Sequence, residues 1–180
     1  MRGAPRIAVY GSSAASPDSP EYAAALRLGR LLAERGGEIA CGGYGGIMEA
    51  VSRGAREAGG HVVGYTVASW NHRRANDYLS EQLPCRDLYE RLRHLIDECD
   101  AMVALGGGIG TLVEVMLAWN QLFMELIEPR PLIVVGPAWK QVLDHLSVFL
   151  EVGDHHLAFI RRCDDVDDAV AVLLQEGVLK

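Results

Sequence analysis

Three turns rich in glycine or serine each follow an apolar run of strand length, and a helical pattern follows each turn. In chain order they are Gly11-Ser12-Ser13, Gly42-Gly43-Tyr44-Gly45-Gly46 and Gly106-Gly107-Gly108-Ile109-Gly110-Thr111. Parallel strands need a crossover connection, and that crossover is usually a helix. The sequence therefore predicts an α/β fold, in which a single domain over residues 1–180 forms a doubly wound, Rossmann-like parallel sheet with helices on both faces.

The limits of the later elements follow from the same apolar patterns. A long helix is predicted from Thr111 to about Leu126, and the last strand is predicted over Leu157 to Ile160. The segment from Val67 to Pro84 is irregular and carries Trp70-Asn71-His72-Arg73-Arg74 near its middle. We interpret it as a long functional loop with a short strand near Tyr78 to Leu83.

Charge and composition disfavour several classes of protein. The 180 residues carry 17 basic and 24 acidic side chains, and the net charge of −7 provides no uniform basic field for nucleic acid. No apolar stretch near the N-terminus is long enough for a signal peptide or a membrane span. The four cysteines form no C-x-x-C pair. We expect a cytoplasmic protein with reduced, mostly buried thiols and with neither a nucleic-acid nor a membrane partner.

The three turns have a chemistry that suits phosphate. Ligands of doubly wound sheets bind where the strands end, and glycine lets the backbone approach them closely. The N-terminus of the following helix adds N–H groups with a partial positive charge. Neither long glycine turn fits G-x-G-x-x-G, because Thr111 and Met48 replace its last glycine, and no lysine follows a glycine run as in a Walker A loop. A phosphate site is therefore predicted, whereas an NAD site and a P-loop are disfavoured.

The glycine turns also resemble the motifs of a known family. The run from Gly106 to Glu114, G-G-G-I-G-T-L-V-E, resembles the signature P-G-G-x-G-T-x-x-E of the LOG ("Lonely Guy") family, whose members are often labelled possible lysine decarboxylases. The run from Gly42 to Met48 is similar to the family's motif G-G-x-x-G-L-M, and the likeness extends from about residue 6 to residue 176. The chain departs from the family pattern at Ile47, Glu49, Leu92 and Gly106, where leucine, glycine, lysine and proline are usual.

The resemblance implies a nucleoside 5′-monophosphate phosphoribohydrolase, which cleaves the N-glycosidic bond of AMP or an N6-modified AMP to free base and ribose 5-phosphate. It implies that Arg91 and Glu114 are catalytic. Glu114 follows Thr111 by one helical turn, so its carboxylate can reach a ribose whose phosphate lies on the turn. The implied substrate-binding residues are Gly11, Ser12, Ser13, Gly43, Gly45, Gly46, Met48, Gly107, Gly108, Ile109, Gly110 and Thr111. No metal or organic cofactor is implied, and family members are homodimers or larger homo-oligomers.

Simpler interpretations of the same residues stay open. Thr111-x-x-Glu114 also fits a capping box, in which the glutamate accepts from the first backbone N–H of a helix. The charged run from Glu90 to Arg93 also fits a solvated helix face, and Met48 also fits a core position. His155-His156 suggests a metal, but adjacent side chains point apart and no third ligand is evident.

The two lysines argue against the decarboxylase label. A PLP enzyme needs a lysine for its Schiff base, and neither Lys140 nor Lys180 follows a glycine-rich strand end. Two hypotheses therefore remain. The first is a hydrolase whose partner is a small nucleoside monophosphate, and the second is a non-catalytic carrier or sensor that holds a nucleotide or phosphorylated cofactor in the same loops.

Overall fold

The computed structural model describes residues 3–70 and 72–180. Within these residues, seven parallel strands form one sheet in the order β4-β3-β2-β1-β5-β6-β7. The strands are β1 (Arg6–Tyr10), β2 (Glu38–Cys41), β3 (Val62–Val67), β4 (Glu81–Cys85), β5 (Ala101–Ala104), β6 (Leu132–Val135) and β7 (Ile160–Cys163).

Helices cover both faces of this sheet. Ile7 and Val9 of β1 pack in one hydrophobic cluster, and Ala8 and Tyr10 pack in a second cluster on the opposite face. Helices α1, α2 and α7 contribute to the first cluster, and α3, α4 and α5 contribute to the second. The helices are α1 (Pro20–Glu34), α2 (Ile47–Glu57), α3 (Leu88–Asp97), α4 (Ile109–Phe123), α5 (Pro137–Phe149), α6 (Asp154–Leu157) and α7 (Val166–Gln175). The predicted doubly wound α/β fold is therefore confirmed.

The direction in which the sheet grows reverses at β1. Strands β2, β3 and β4 extend the sheet on one side of β1, whereas β5, β6 and β7 extend it on the other. The ends of β1 and β5 lead into the turns at Gly11 and Gly106. In open α/β sheets this reversal separates the two following loops and leaves a crevice that binds ligands.

The prediction for the last strand is wrong. Residues Asp154–Leu157 form α6, and the strand runs over Ile160–Cys163 instead of ending at Ile160. Phe159 packs against Phe123 with ring centres 6.0 Å apart, so part of the apolar signal comes from an aromatic contact outside the sheet.

The strand predicted near Tyr78 begins later, at Glu81, and it lies at an edge of the sheet. An edge strand has one unpaired side, so it tolerates Pro84, which lacks an N–H group. The loop between β3 and β4 joins two strands that pair in parallel, and it contains no crossover helix.

The long helix is assigned mainly to the core. Helix α4 starts two residues before the predicted Thr111 and ends at Phe123. Val115, Trp119 and Leu122 are buried within the chain, and the Trp119 Nε1 group donates a hydrogen bond to the His156 carbonyl over 2.8 Å. These three side chains therefore stabilise the packing within one chain.

The cysteine prediction is confirmed in the described part of the chain. All four thiols are free and buried, and burial raises the pKa of Cys99 to about 12. Among residues 3–70 and 72–180, no helix has the length and apolar character needed to cross a bilayer.

Candidate active site

The three glycine turns meet where the strand order reverses. The Ser12 N–H donates to the Gly106 carbonyl over 3.0 Å, which joins the first turn to the third. The Ile47 N–H donates to the Ser12 carbonyl over 2.8 Å, which joins the second turn to the first. The sheet therefore brings together three segments that lie far apart in the sequence.

A cavity of about 430 Å³ lies between these turns. This volume falls in the range of small-molecule sites. Ten predicted site residues line it, and they are Gly11, Ser12, Ser13, Met48, Arg91, Gly108, Ile109, Gly110, Thr111 and Glu114. The structure thus places both predicted catalytic side chains in one cavity with most of the predicted binding residues.

Four predicted glycines lie behind the cavity lining instead of in it. Gly107 makes room for Thr111, whose Oγ1 would lie 2.1 Å from a Cβ at position 107. Gly46 has φ +66° and packs closely on the Ser12 carbonyl. Gly43 and Gly45 also do not line the cavity. Gly43 and Gly46 lie close to neighbouring backbone and Gly107 lies close to the Thr111 side chain, so these three glycines allow close packing around the cavity without lining it.

A larger cavity, of about 720 Å³, lies at the amino-terminal ends of the strands, away from the three glycine turns. Its wall contains Arg130, which donates to backbone carbonyls within residues 96–99, and Arg161, which pairs with Glu176 over 2.7 Å. Both cations already hold the chain together, and no predicted site residue lies there. The smaller cavity is therefore the candidate site.

Arg91 enters the candidate site from the first turn of α3. The N-cap Asp87 accepts from the Glu90 N–H over 2.9 Å, and the Glu90 carboxylate accepts from the Arg86 N–H over 2.5 Å. Glu90 therefore stabilises the start of the helix, one residue before the side chain that reaches the cavity. The solvated-face interpretation is wrong for Arg91, which is 7% exposed, because its side chain turns inward.

Two contacts fix the Arg91 guanidinium. Its Nε group donates to the carbonyl of Tyr65, within β3, over 2.9 Å. It also passes beside Gly42, where a Cβ would lie 1.8 Å from Nη2. Only glycine at position 42 leaves space for this path, so the second glycine turn positions a side chain as well as the backbone.

Arg91 and Glu114 form a buried ion pair. The Arg91 Nη1 atom lies 3.4 Å from Glu114 Oε1, and both residues are 7% exposed. Burial raises the pKa of Glu114 to about 7, although the Arg91 charge opposes this shift. A carboxyl group of this pKa exchanges a proton readily near neutral pH, which is a common property of catalytic acids and bases.

The N-terminus of α4 presents donors to the cavity. Its N-cap, Gly108, makes no side-chain capping bond, and its first turn contains no acidic residue. A Cβ at Gly108 or Gly110 would meet no protein atom within 4 Å. Both backbones also have φ values that other residues adopt, so protein packing does not require glycine there. The empty space is available to a ligand that approaches the helix N-terminus.

The N-terminus of α2 is less suited to an anion. Glu49 lies in its first turn and accepts from the Tyr22 hydroxyl over 3.0 Å. The Ile47 N–H already donates to Ser12. A carboxylate in the first turn competes with a bound phosphate, so α4 is the more favourable of the two helices.

The capping-box alternative is settled by the position of the helix start. Thr111 is the third residue of α4, whereas the N-cap is Gly108, so Thr111 and Glu114 do not form a capping box. The ring of His156 lies against Phe123 with centres 4.5 Å apart, and its Nδ1 accepts from the Gly153 N–H. In the residues that the structure describes, no group of three or more His, Cys, Asp and Glu side chains is placed to hold a metal ion.

The lining residues that the sequence did not assign include Tyr44, Trp70 and Arg73. Tyr44 lies in the second glycine turn, and the other two belong to the loop between β3 and β4. The basic and aromatic run in that loop was the available signal, but no periodic pattern fixed where its side chains would lie.

Comparisons with known proteins show which family this chain belongs to. The model of the SLOG cluster4 family matches residues 4–142. The cytokinin riboside 5′-monophosphate phosphoribohydrolase of Mycobacterium tuberculosis is 34% identical over 134 residues, which are 73% of this chain and 70% of that protein. The enzyme of the same name from Mycobacterium marinum is 29% identical over 176 residues, 92% of each chain.

Among solved structures, the molybdenum cofactor binding protein from Rippkaea orientalis has a similar fold. It aligns with a TM-score of 0.79 over 98% of both chains at 23% identity, and this likeness concerns the fold alone. The family match covers all three glycine turns and both members of the buried ion pair. The chain therefore belongs to the SLOG cluster4 family, and the relationship to the LOG family that its glycine motifs predicted is confirmed.

Proposed function

We propose that this protein hydrolyses the N-glycosidic bond of a purine nucleoside 5′-monophosphate, AMP or an N6-modified AMP, to free base and ribose 5-phosphate. The observation that carries the proposal is the buried Arg91–Glu114 pair beside the uncapped N-terminus of α4. The names of the mycobacterial relatives support the same reaction class.

The phosphate is assigned to the first turn of α4. Residues Gly108 to Thr111 line the cavity at the start of α4, that turn contains no acidic residue, and the partial positive charge at the N-terminus of the helix favours an anion. The hydroxyl groups of Ser12 and Thr111 add further donors near this point. Binding the phosphate here directs the ribose toward Glu114, one helical turn further along α4.

The carboxylate of Glu114 is assigned a position beside C1′, the ribose carbon whose bond to the base is cleaved. Cleavage develops positive charge on the ribose, and a carboxylate beside the sugar stabilises that charge. The same carboxylate can accept a proton from water as the water oxygen bonds to C1′ and the C1′–N bond breaks. The electron pair of the broken bond leaves with the base, which takes up a proton. A pKa of about 7 keeps a substantial fraction of Glu114 ionised at neutral pH.

The role proposed for Arg91 is to orient the Glu114 carboxylate and to supply a positive charge beside it. Its guanidinium holds the Glu114 carboxylate at 3.4 Å and favours the ionised form that acts as a base. Its permanent charge and planar donors also suit a ribose or phosphate oxygen. We expect loss of Arg91 to affect both substrate binding and the protonation of Glu114.

A carrier or sensor is the second candidate function. Leu92 replaces the usual lysine of the LOG family and is buried, so the described site receives no second cation from that position. The Rippkaea orientalis protein, similar over its whole length, is described as binding a cofactor. In this candidate function the same cavity holds a phosphorylated ligand without cleaving it.

Base release from a panel of substrates tests the two candidates. The purified protein is incubated with AMP, an N6-substituted AMP and adenosine, and free base is separated by chromatography. The hydrolase predicts release from the monophosphates and little from adenosine, because adenosine lacks the group that α4 binds. Tight binding of AMP without release of any base would favour the carrier and contradict the hydrolase.

Two further expectations accompany the proposal. The ligand is a small nucleoside monophosphate, and the proposed chemistry uses protein side chains without a cofactor. The chain is expected to form a homodimer or larger homo-oligomer. Sedimentation velocity measures this assembly directly.

A further inference from the structure

The charges in the wall of the candidate site do not cancel. Its charged side chains, among the described lining residues, are Arg73, Arg91 and Glu114. Arg91 and Glu114 lie 3.4 Å apart and are both buried, so their opposite charges offset each other when the carboxyl is ionised. The positive charge of Arg73 is then left without a balancing charge in this wall.

Arg73 is exposed, and it has no carboxylate partner among residues 3–70 and 72–180. Its neighbour Arg74, in contrast, pairs with Asp77 over 2.7 Å and does not line the cavity. The guanidinium of an arginine does not lose its proton in proteins. Arg73 therefore presents a permanent, unpaired positive charge to the cavity, and Arg74 provides a matched control in the same loop.

Two aromatic rings hold this charge at the cavity wall. The Arg73 guanidinium carbon lies 5.3 Å from the ring centre of Trp70 and 5.7 Å from that of Tyr44. Both aromatic residues also line the cavity. The faces of aromatic rings attract a cation, so these contacts favour conformations in which the guanidinium stays at the wall.

Hydrogen bonds anchor the segment that carries Arg73. The Arg73 N–H donates to the Trp70 carbonyl over 2.9 Å, and the Asn76 N–H donates to the Gly43 carbonyl over 2.9 Å. The Asn76 side-chain amide donates to the Tyr44 carbonyl over 3.0 Å. The second glycine turn therefore fixes where the loop, and with it the charge, passes the cavity.

The charge of the whole chain makes a local cation important for an anionic ligand. The net charge of −7 repels a phosphate monoester, which carries about two negative charges at neutral pH. A compact cavity of about 430 Å³ is roughly 9 Å across, so an anion inside it lies close to one Debye length from Arg73 at physiological ionic strength. The attraction therefore acts whichever part of the ligand lies nearest to the arginine.

We infer that the charge of Arg73 attracts dianionic nucleotides into the cavity and lowers KM for phosphorylated ligands, without selecting the base and without acting in bond cleavage. The inference rests on the proposed function, because it assumes that the ligand carries a phosphate. A charge at the rim of a binding site acts through its long-range field, and salt weakens this effect. The N-terminus of α4 still holds the phosphate once the ligand has entered.

The expected size of the effect follows from Coulomb's law. A unit charge and a dianion in water, at a distance equal to the width of the cavity, favour binding roughly fourfold at an ionic strength of about 0.01 M. Screening reduces this factor to roughly two at about 0.15 M and removes nearly all of it at about 1 M. The dependence on salt therefore identifies an attraction through charge.

Steady-state release of base from AMP tests the inference. We expect kcat/KM of Arg73→Gln to fall roughly fourfold at about 0.01 M ionic strength, while kcat keeps its wild-type value because the attraction acts equally before and during the reaction. The difference from wild type disappears near 1 M. Arg73→Lys keeps the charge and stays close to wild type, and Arg74→Gln does so because its guanidinium lies outside the cavity.

Three results would overturn the inference. Wild-type kinetics in Arg73→Gln at low ionic strength would show that its charge does not act on the ligand. A loss that persists at high ionic strength, or an equal loss in Arg73→Lys, would indicate a hydrogen-bonded contact made by the planar guanidinium. A lower kcat in Arg73→Gln would place the residue in the chemical step.

Failure of the proposed function has a different signature. If wild type releases no base from any monophosphate, the hydrolase is wrong, and calorimetric binding of AMP and adenosine then tests Arg73 by itself. Weaker binding of AMP to Arg73→Gln at low ionic strength, with binding of uncharged adenosine unchanged, would support the inference for a binding protein. An equal loss for both ligands, or no loss for AMP, would overturn it.

Discussion

Replacing Gly42 with alanine tests whether Arg91 acts from the position that it occupies. A Cβ at residue 42 would lie 1.8 Å from Arg91 Nη2 and 2.7 Å from the Met48 sulfur. The φ of Gly42 lies outside the positive region, so alanine introduces no backbone strain. The guanidinium must therefore retreat by roughly 1.6 Å to regain an ordinary contact of about 3.4 Å.

This displacement breaks the geometry of the buried pair. Arg91 starts 3.4 Å from Glu114 and 2.9 Å from the Tyr65 carbonyl, and it cannot keep both contacts after such a shift. A misplacement of about 1 Å in an active site can cost a factor of about one hundred in rate. We expect kcat/KM for base release to fall about a hundredfold, which is about 2.7 kcal/mol of transition-state stabilisation.

The pH profile distinguishes displacement of Arg91 from general loss of structure. Arg91 opposes the rise of the Glu114 pKa, so its retreat moves that pKa above its wild-type value of about 7. The acidic limb of kcat/KM therefore shifts to higher pH in Gly42→Ala. The control is Gly106→Ala, because a Cβ there meets no protein atom within 4 Å and the residue lies outside the cavity. Wild-type kinetics in a folded Gly42→Ala protein would refute the assigned role of Arg91.

Three further predictions concern ligand space and stability. Gly108→Ala should melt like wild type and bind AMP about tenfold more weakly by calorimetry, because the new methyl group occupies the space at the α4 N-terminus; unchanged affinity would place the phosphate elsewhere. In denaturant titrations, Glu114→Gln should gain stability over wild type as pH rises from 5 to 8. The pKa of native Glu114 is raised to about 7, so its ionisation lowers the stability of wild type by up to about 3 kcal/mol. This loss of stability is absent below pH 4.5 and complete above pH 7. A difference that does not vary with pH would contradict the burial of this carboxyl. Gly46→Ala should lower the free energy of unfolding by at least about 2 kcal/mol, because φ is +66° and the Ser12 carbonyl blocks the Cβ; a wild-type melting curve would show that the turn can rearrange.

The sheet could be predicted from the sequence because its signals are local. The apolar run from Ala101 to Leu105, for example, ends at Gly106, and such a run bounded by turn residues specifies a buried strand. The last strand, Ile160–Cys163, was misplaced because its middle residues are exposed arginines at the edge of the sheet. The residues before this strand are more apolar, but they pack against helices. The periodicity of a sequence does not distinguish apolar residues in a strand from apolar residues that pack outside the sheet.

The candidate site could be predicted only in part. The resemblance to the LOG motifs indicated Arg91 and Glu114, but spacing alone does not bring residues from α3 and α4 to within 3.4 Å. The reversal of strand order at β1 makes their contact possible. Arg73 was not assigned, because its place depends on bonds between the loop and the second glycine turn, which leave no periodic trace in the sequence.

Base release and AMP binding by Glu114→Gln, measured beside wild type, test the central claim most directly. The amide keeps the size of the side chain but cannot act as a base or carry negative charge. The account predicts that release of adenine falls by a factor of at least about one hundred, while the dissociation constant of AMP changes by only a few-fold. Adenine release at the wild-type rate in the folded variant would contradict the assignment of Glu114 to the reacting carbon.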